Sequence, residues 1–397
     1  MKLPAHHFLL LTIIAAFILA GCSSQIAQPA PTLAATQTPA ADLSAQITLT
    51  ATAAEAPQIN PQPFEIQLAW FYKPPAASPA DLVTDYDFFI LTHNDEAFRD
   101  ELKKQGVATP VLQYLLLNEI MDPGSCDASP YNDQVAFKPG DFCWIKDNHP
   151  DWFLTGQDGN LLGPSNYYMM DSGNPGWQNF WLERASLLQE TYHWDGIFLD
   201  NVEASRSKIA EWGKTPGAYP TDESYQAAIE NELKILYTQY FHPMGKPVFA
   251  NIIAVEDPQV WLRYLQYLDG AMIENFATGW PGGTGLSVSE WKQQIQMVQQ
   301  AQAMGKTVIL VAQGDQYDQQ RQEFALGSYL LVSDGLAYFR YTNHSNYEQI
   351  WPFANQTIDL GAALGACYQD GSNWRRDFSN GTVLVNPTAQ TASVTLK

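Results

Sequence analysis

Positive charge is the first thing this sequence lacks. Lys and Arg together number 21 against 42 Asp and Glu, a formal net charge of −21 at pH 7. Without a positive field nothing gathers phosphate backbones or anionic lipid headgroups, which argues against nucleic acid as a partner. Charged residues of both signs make up only 16% of the chain, below the roughly 25% usual in globular proteins. Gln, Asn, Ser and Thr are left to cover the surface, a composition that fits an exported protein. Cysteines number 4 and histidines 7, the latter scattered, and neither CxxC nor HExxH occurs. A dedicated zinc or redox site therefore has no support, and neither a metal nor a cofactor is expected. The Gly-rich loops GxGxxG and GxxxxGK[ST] that cradle phosphates are missing too. What is plentiful is apolar mass: 46% of the 397 residues are hydrophobic and 13% aromatic. That is enough for a large core and does not fit a disordered or fibrous chain.

At the amino end Lys2 precedes an apolar run from Phe8 to Ala20, closed by Leu19-Ala20-Gly21-Cys22. The run is too short for a comfortable transmembrane helix of about 20 residues. It resembles a bacterial lipoprotein signal over residues 1–22, which implies cleavage before Cys22 and lipidation of its thiol. Residues 23–63 are rich in Ala, Thr, Pro, Gln and Ser and nearly devoid of aromatics, so they cannot bury enough surface to offset ordering entropy. They read as a flexible spacer, placing the remainder outside the cytoplasm on a lipid anchor in the cell membrane, with no protein partner implied. In that oxidising space Cys126 and Cys143, flanking a loop dense in Pro, Gly and Asp, are candidates for a disulfide, and Cys367 for a buried small hydrophobe.

From Phe64 onward short apolar runs alternate with amphipathic segments, the signature of βα repetition. Strands are predicted at Ile66–Tyr72, Phe88–Thr92, Pro110–Leu117, Gly196–Asn201, Pro247–Ile253, Gly270–Phe276, Thr307–Gln313 and Leu336–Tyr341. Helices are predicted at Glu96–Gln105, Trp177–Tyr192, Ser224–Phe241, Pro258–Leu268, Ser289–Met304 and Gln319–Val332. Gly106, Gly245 and Gly305 serve as helix stops. This is the rhythm of a (β/α)8 TIM barrel, an α/β fold, over residues 64–345. A doubly wound open sheet is the alternative. The alternation stops after Thr342, and residues 346–397 read as a small C-terminal β appendage with a hairpin turn at Asn380-Gly381. The long segment from Asn118 to Met170, which carries Trp144, Trp152, Tyr167 and Tyr168, leaves the carboxyl end of strand three, where barrel active sites lie. It is expected to wall the substrate cleft.

Side chains at the carboxyl ends of the other strands make up the candidate site: Tyr72, His93, Tyr114, Glu119, Asn201, Asn251, Gln313 and Tyr341, with Trp144 from the long loop. Two carboxylates dominate. Asp200 ends the apolar run Gly196-Ile197-Phe198-Leu199, and Glu274 ends Gly270-Ala271-Met272-Ile273 two strands later. A pair facing one cleft is what a glycosidase needs, one carboxylate to attack or steady the anomeric centre and one to protonate the leaving oxygen. The segments Trp-Asp-Gly-Ile-Phe-Leu-Asp-Asn at 194–201 and Ala-Met-Ile-Glu-Asn at 271–275 carry a family likeness. So does the tail Arg-x-Phe-x-Asn-Gly-x-Val-Leu-Val-Asn-Pro at 376–387. With them the chain resembles the TIM-barrel glycoside hydrolases labelled hypothetical glycosyl hydrolase family 15. More distantly, it is similar to the polygalactosaminidase-like barrels of family 114.

The resemblance implies a glycosidase acting on a poly- or oligosaccharide. By analogy with barrels such as α-galactosidases, it gives Asp200 as nucleophile or base and Glu274 as general acid/base, in a retaining mechanism. Other readings stay open at this point. Asp200 could cap a helix and Glu274 could pair with Arg340, while Glu119 and Glu203 compete for the acid role or for substrate. Asp171 could bind sugar hydroxyls or cap a helix, and Asp315 and Asp318 read as turn and cap residues. For the whole protein, a non-catalytic glycan-binding lipoprotein is the rival, followed by a carbohydrate esterase or deacetylase, for which no metal triad or Ser-His pair is spaced.

Overall fold

The computed structural model describes residues 64–71, 78–211, 214–253 and 256–397. The expected lipoprotein signal with Cys22, the expected spacer and Tyr72 lie outside the described residues. Eight parallel strands follow in chain order around a barrel: β1 (Ala69–Phe71), β2 (Phe88–Leu91), β3 (Val111–Leu116), β4 (Gly196–Glu203), β5 (Val248–Ile253), β6 (Gly270–Ile273), β7 (Thr307–Gln313) and β8 (Ala337–Thr342). Leu68, just before β1, pairs parallel with Phe339 of β8, and Phe339 N donates to Gln67 O at 2.8 Å. That contact brings the two ends of the sheet together, which an open doubly wound sheet would leave apart.

Among the described residues, helices that cross back between strands include α1 (Pro79–Leu82), α2 (Glu96–Lys104), α3 (Pro175–Thr191), α4 (Asp222–Leu236), α5 (Pro258–Tyr264), α6 (Val288–Ala303) and α7 (Gln319–Val332). Their starts are written in the sequence. Asn174 accepts from Gly176 N and Trp177 N, and Asp257 from Gln259 N and Val260 N, each with proline next; Thr221 and Ser287 form capping boxes with Ser224 and Glu290. In α3 the buried Trp177, Trp181, Ala185 and Leu188 recur at helical spacing and lay one face on the sheet.

Strand side chains alternate between two cores. Phe88, Ile90, Leu112, Phe198, Phe249 and Ile309 belong to the cluster inside the barrel. Residues of the opposite parity, such as Ile197, Val248, Ala250, Leu310 and Phe339, pack outward against the helices. The expected strand Gly270–Phe276 stops at Ile273: Phe276 N bonds to Val311 O at 2.9 Å and Ala277 turns with φ 59°, so the apolar residues past Glu274 fill a turn.

Between β3 and α3 the long segment forms an antiparallel ribbon, Glu119–Met121 against Tyr167–Met169, and a helix, Asp141–Asn148. Cys126 and Cys143 are disulfide-bonded, with Cα atoms 5.7 Å apart. Cys367 is half-buried, and burial pushes its thiol up.

The carboxyl end folds as a four-stranded antiparallel sheet of β9 (Tyr368–Asp370), β10 (Asn373–Asp377), β11 (Gly381–Asn386) and β12 (Thr391–Leu396). It rests on α7, where Gly327 lets Ala392 and Val385 approach the helix. Arg376 anchors it, donating to Leu330 O, Ser333 O and the Asp334 carboxylate at the end of α7. The hairpin turn sits one residue earlier than expected. Phe378 and Gly381 pair with each other, leaving Ser379-Asn380 as the loop. Gly381 is needed for room, since a Cβ there would lie 2.8 Å from Thr395 O.

Candidate active site

The inward parity carries Tyr114, Asp200, Asn251, Glu274 and Gln313 to one end of the barrel. Tyr114, Asp200, Asn251 and Glu274 line a small cavity together with Phe71, Phe198, Met272 and Tyr347. Asn251 joins the two acids. Its Nδ2 donates to Asp200 Oδ1 at 3.0 Å and to Glu274 Oε2 at 2.9 Å. Those two oxygens are therefore at most 5.9 Å apart, the sum of the two bond lengths.

Asp200 accepts two further bonds, from the Tyr114 hydroxyl to Oδ2 at 2.5 Å and from Asn201 N to Oδ1 at 2.8 Å. All of its partners come from the site, so it is not a helix cap. Glu274 also accepts from the Tyr347 hydroxyl at 2.5 Å and from Gln313 Nε2 at 3.3 Å, both to Oε1. Burial first, and then the charge of Asp200, push its carboxyl above the ordinary range, against the pull of these donors. Arg340 stacks its guanidinium over Trp70 at 4.0 Å and donates to the backbone carbonyls of Phe71 and Tyr347, rather than serving Glu274 as an ion-pair partner.

A local irregularity in β4 adds a second acidic group. Between Leu199 and Val202 the register shifts against β5, so Asp200 and Asn201 together oppose Asn251, and Asn201 takes φ 55°. The extra residue restores Glu203 to inward parity. Lys208 Nζ lies 3.3 Å from Glu203 and 3.9 Å from Glu119, whose Oε1 also accepts from Asn201 Nδ2 at 3.2 Å. Burial pushes Glu203 up to about 7 despite Lys208, and raises Glu119 as well. The long segment contributes Asp133, which accepts from the Tyr167 hydroxyl at 3.1 Å and is raised by burial and by the Asp200 charge.

Three expected site residues lie elsewhere. His93 turns to Glu96, at 2.7 Å, and packs on Tyr192. Tyr341 has outward parity, bonding Asp315 O at 3.1 Å and packing on Phe353. Trp144 packs on His149, Trp152 and Phe180 beside α3. Asp171 accepts from the Tyr219 hydroxyl and from Gly173 N, leaving the α3 cap to Asn174. Asp315 makes a turn with Tyr317 N, and Asp318 caps α7 through Arg321 N. Tyr347, Lys208 and Asp133 were missed. The only sequence signal for Tyr347 is an aromatic residue in an Asn-rich stretch directly after β8.

A family model described as Hypothetical glycosyl hydrolase family 15 matches residues 108–382. Among solved structures, the glycoside hydrolase domain of PelA from Pseudomonas aeruginosa is similar at 18% identity and a TM-score of 0.47, covering 75% of this chain and 98% of that one. The noncanonic maltogenic alpha-amylase AmyB from Thermotoga neapolitana is similar at 12% identity and a TM-score of 0.46, over 81% of this chain and 86% of that one. The alpha-amylase GTA from Geobacillus thermoleovorans gives 10% identity and a TM-score of 0.43, over 80% and 85%. No curated protein sequence matches the chain.

Proposed function

The chain belongs to Hypothetical glycosyl hydrolase family 15 and is a glycoside hydrolase, and from that premise we propose that Asp200 and Glu274 are its reacting carboxylates in a retaining mechanism. The observation that carries this reading is the amide of Asn251 shared between them. Its two bonds bound the facing oxygens at 5.9 Å, a value that supports the roughly 5–5.5 Å of retaining enzymes over the 6.5–9.5 Å that leaves room for water in inverting ones. Asp200 attacks the anomeric carbon while Glu274 gives its proton to the departing oxygen. Glu274 then takes a proton from the water that displaces Asp200. A carboxyl raised by burial and by a neighbouring charge suits the acid. Asp200, steadied by Tyr114, Asn201 N and Asn251, suits the nucleophile. Tyr114, Asn251 and Gln313 are the groups available to sugar hydroxyls.

The substrate is an extracellular poly- or oligosaccharide, and the enzyme works outside the cytoplasm on a lipid carried by Cys22. The signal-like segment ending at Cys22 and the disulfide between Cys126 and Cys143 support that placement. The test is release of reducing ends from a panel of bacterial and plant glycans by the wild type, Asp200→Asn and Glu274→Gln, with folding checked by circular dichroism. Cleavage of one glycan that both variants lose is expected. Binding without cleavage, unchanged in both, would replace the hydrolase by a glycan-binding protein.

A further inference from the structure

The cavity that the two carboxylates line with their neighbours measures about 30 Å³. That is room for one water, whereas pockets that hold small molecules run from about 300 Å³ upward. A sugar ring does not fit within that volume. Among the described residues that line the space, all stand on a barrel strand or at its end except Tyr347, which comes from the segment after β8, where residues 343–350 form neither helix nor strand. His344, Ser345, Asn346 and Glu348 are exposed, and the turns around them are local, Ser345 N on Asn343 Oδ1 and Glu348 N on Asn346 Oδ1. Into the site Tyr347 sends its hydroxyl, which donates to Glu274 at 2.5 Å and accepts from Gln313 Nε2 at 2.7 Å, and its ring meets Phe71 edge-on at 6.2 Å.

We propose that Tyr347 is the positioning residue of the acid and the stop that keeps the sugar position closed: its loop withdraws when substrate enters, and the sugar takes the room that the phenol leaves. The inference rests on the reading of Asp200 and Glu274 as the hydrolytic pair. No strand need break for the loop to move, because the barrel's own liners stay in place. Arg340, stacked on Trp70, donates to the Tyr347 carbonyl, a bond that the withdrawal has to break. The exchange has a chemical consequence. A phenol O–H on Glu274 favours the carboxylate, so its departure leaves the acid holding its proton more firmly only once a sugar is present. Gln313 Nε2 is freed at the same moment for a sugar hydroxyl.

The test uses Tyr347→Phe, which keeps the ring and loses the hydroxyl, and Tyr347→Ala, which opens the space. With the glycan that the wild type cleaves, Tyr347→Phe is expected to raise kcat/KM several-fold, the gain carried by KM, because the closed state loses the phenol's hydrogen bond to Glu274. The basic limb of its kcat/KM profile moves to higher pH, since that limb reports the free enzyme, while the basic limb of kcat keeps its position. Limbs that shift together, or a KM that rises, would put the phenol on the acid in the complex too and overturn the proposal. A second readout needs no turnover: labelling of Glu274 by a water-soluble carbodiimide with glycine ethyl ester, read by peptide mass spectrometry. Tyr347→Ala is expected to label Glu274 several-fold faster than the wild type; equal rates overturn the stop. Faster labelling in a protein that cleaves no glycan would sustain Tyr347 as the stop and remove the hydrolytic reading instead.

Discussion

Two pairs of carboxylates stand side by side at one end of this barrel, each bridged by a single nitrogen. Asp200 and Glu274 share the amide of Asn251, while Glu119 and Glu203 share the ammonium of Lys208. An ammonium brings a compensating charge, so Lys208 offsets part of the charge of its pair, and against the pull of burial it is itself raised by the two acids. An amide brings geometry without charge. It fixes the spacing of Asp200 and Glu274 and leaves their repulsion in place, and that repulsion adds to burial in raising Glu274. The first pair opens on the cavity and the second does not line it. Under the proposed function, similar ingredients give a reactive site in one place and a buried brace in the other, and the bridging nitrogen makes the difference.

The largest effects are expected at Asp200 and Glu274. Asp200→Asn or Glu274→Gln is expected to lower kcat by at least about a thousandfold, whereas Glu203→Gln costs less than about tenfold; comparable losses, measured as reducing-end release, would erase the distinction. Asn251→Ala removes the bridge and is expected to cost roughly a hundredfold in kcat, with a changed separation between the two limbs of the pH–rate profile. An unchanged profile would mean that the amide does not set the coupling of the acids.

Glu203 sharpens the contrast through stability. Its carboxyl stands at about 7 in the folded protein against an ordinary value near 4.5, so the folded state holds that proton more tightly. The stability it contributes is complete below about pH 4.5 and is lost as pH rises through about 7, a change of about 3 kcal/mol at most. Chemical denaturation of Glu203→Gln across this range should show a flatter decline than the wild type. The smallest effect is expected from Lys208→Met. Its side chain is 35% exposed, and solvent screening limits the loss to about 1–2 kcal/mol at pH 8. The loss fades near pH 4, where both acids are protonated; thermal melts at the two pH values check it.

Much of this was legible in the sequence because barrel strands announce themselves. Thr307–Gln313 and Gln319–Val332 could be read to the residue, since apolar runs and caps bound both. Asp200, Asn251, Glu274 and Gln313 could be read as strand-end polar groups, and their shared inward parity is what gathers them. The errors came from position used without parity. Tyr341, next to the end of β8, is on the wrong face, and His93 lies past the end of β2, held by Glu96. Two features were set by distant parts of the chain. The extra residue at Asp200-Asn201, which brings Glu203 inward, depends on how β4 registers against β5. Tyr347 reaches the acid through the closing of the barrel, which sets the loop after β8 beside β6 and β7.

The central claim is that the amide-bridged pair, and not the ammonium-bridged one, carries the chemistry. It is tested most directly by trapping the glycosyl intermediate with a panel of 2-deoxy-2-fluoroglycosyl fluorides and mapping the modified peptide by mass spectrometry. One sugar is expected on the side chain of Asp200 and none in Asp200→Asn. A sugar on Glu203 or Glu119 would contradict the claim, and turnover with inversion at the anomeric carbon would overturn retention.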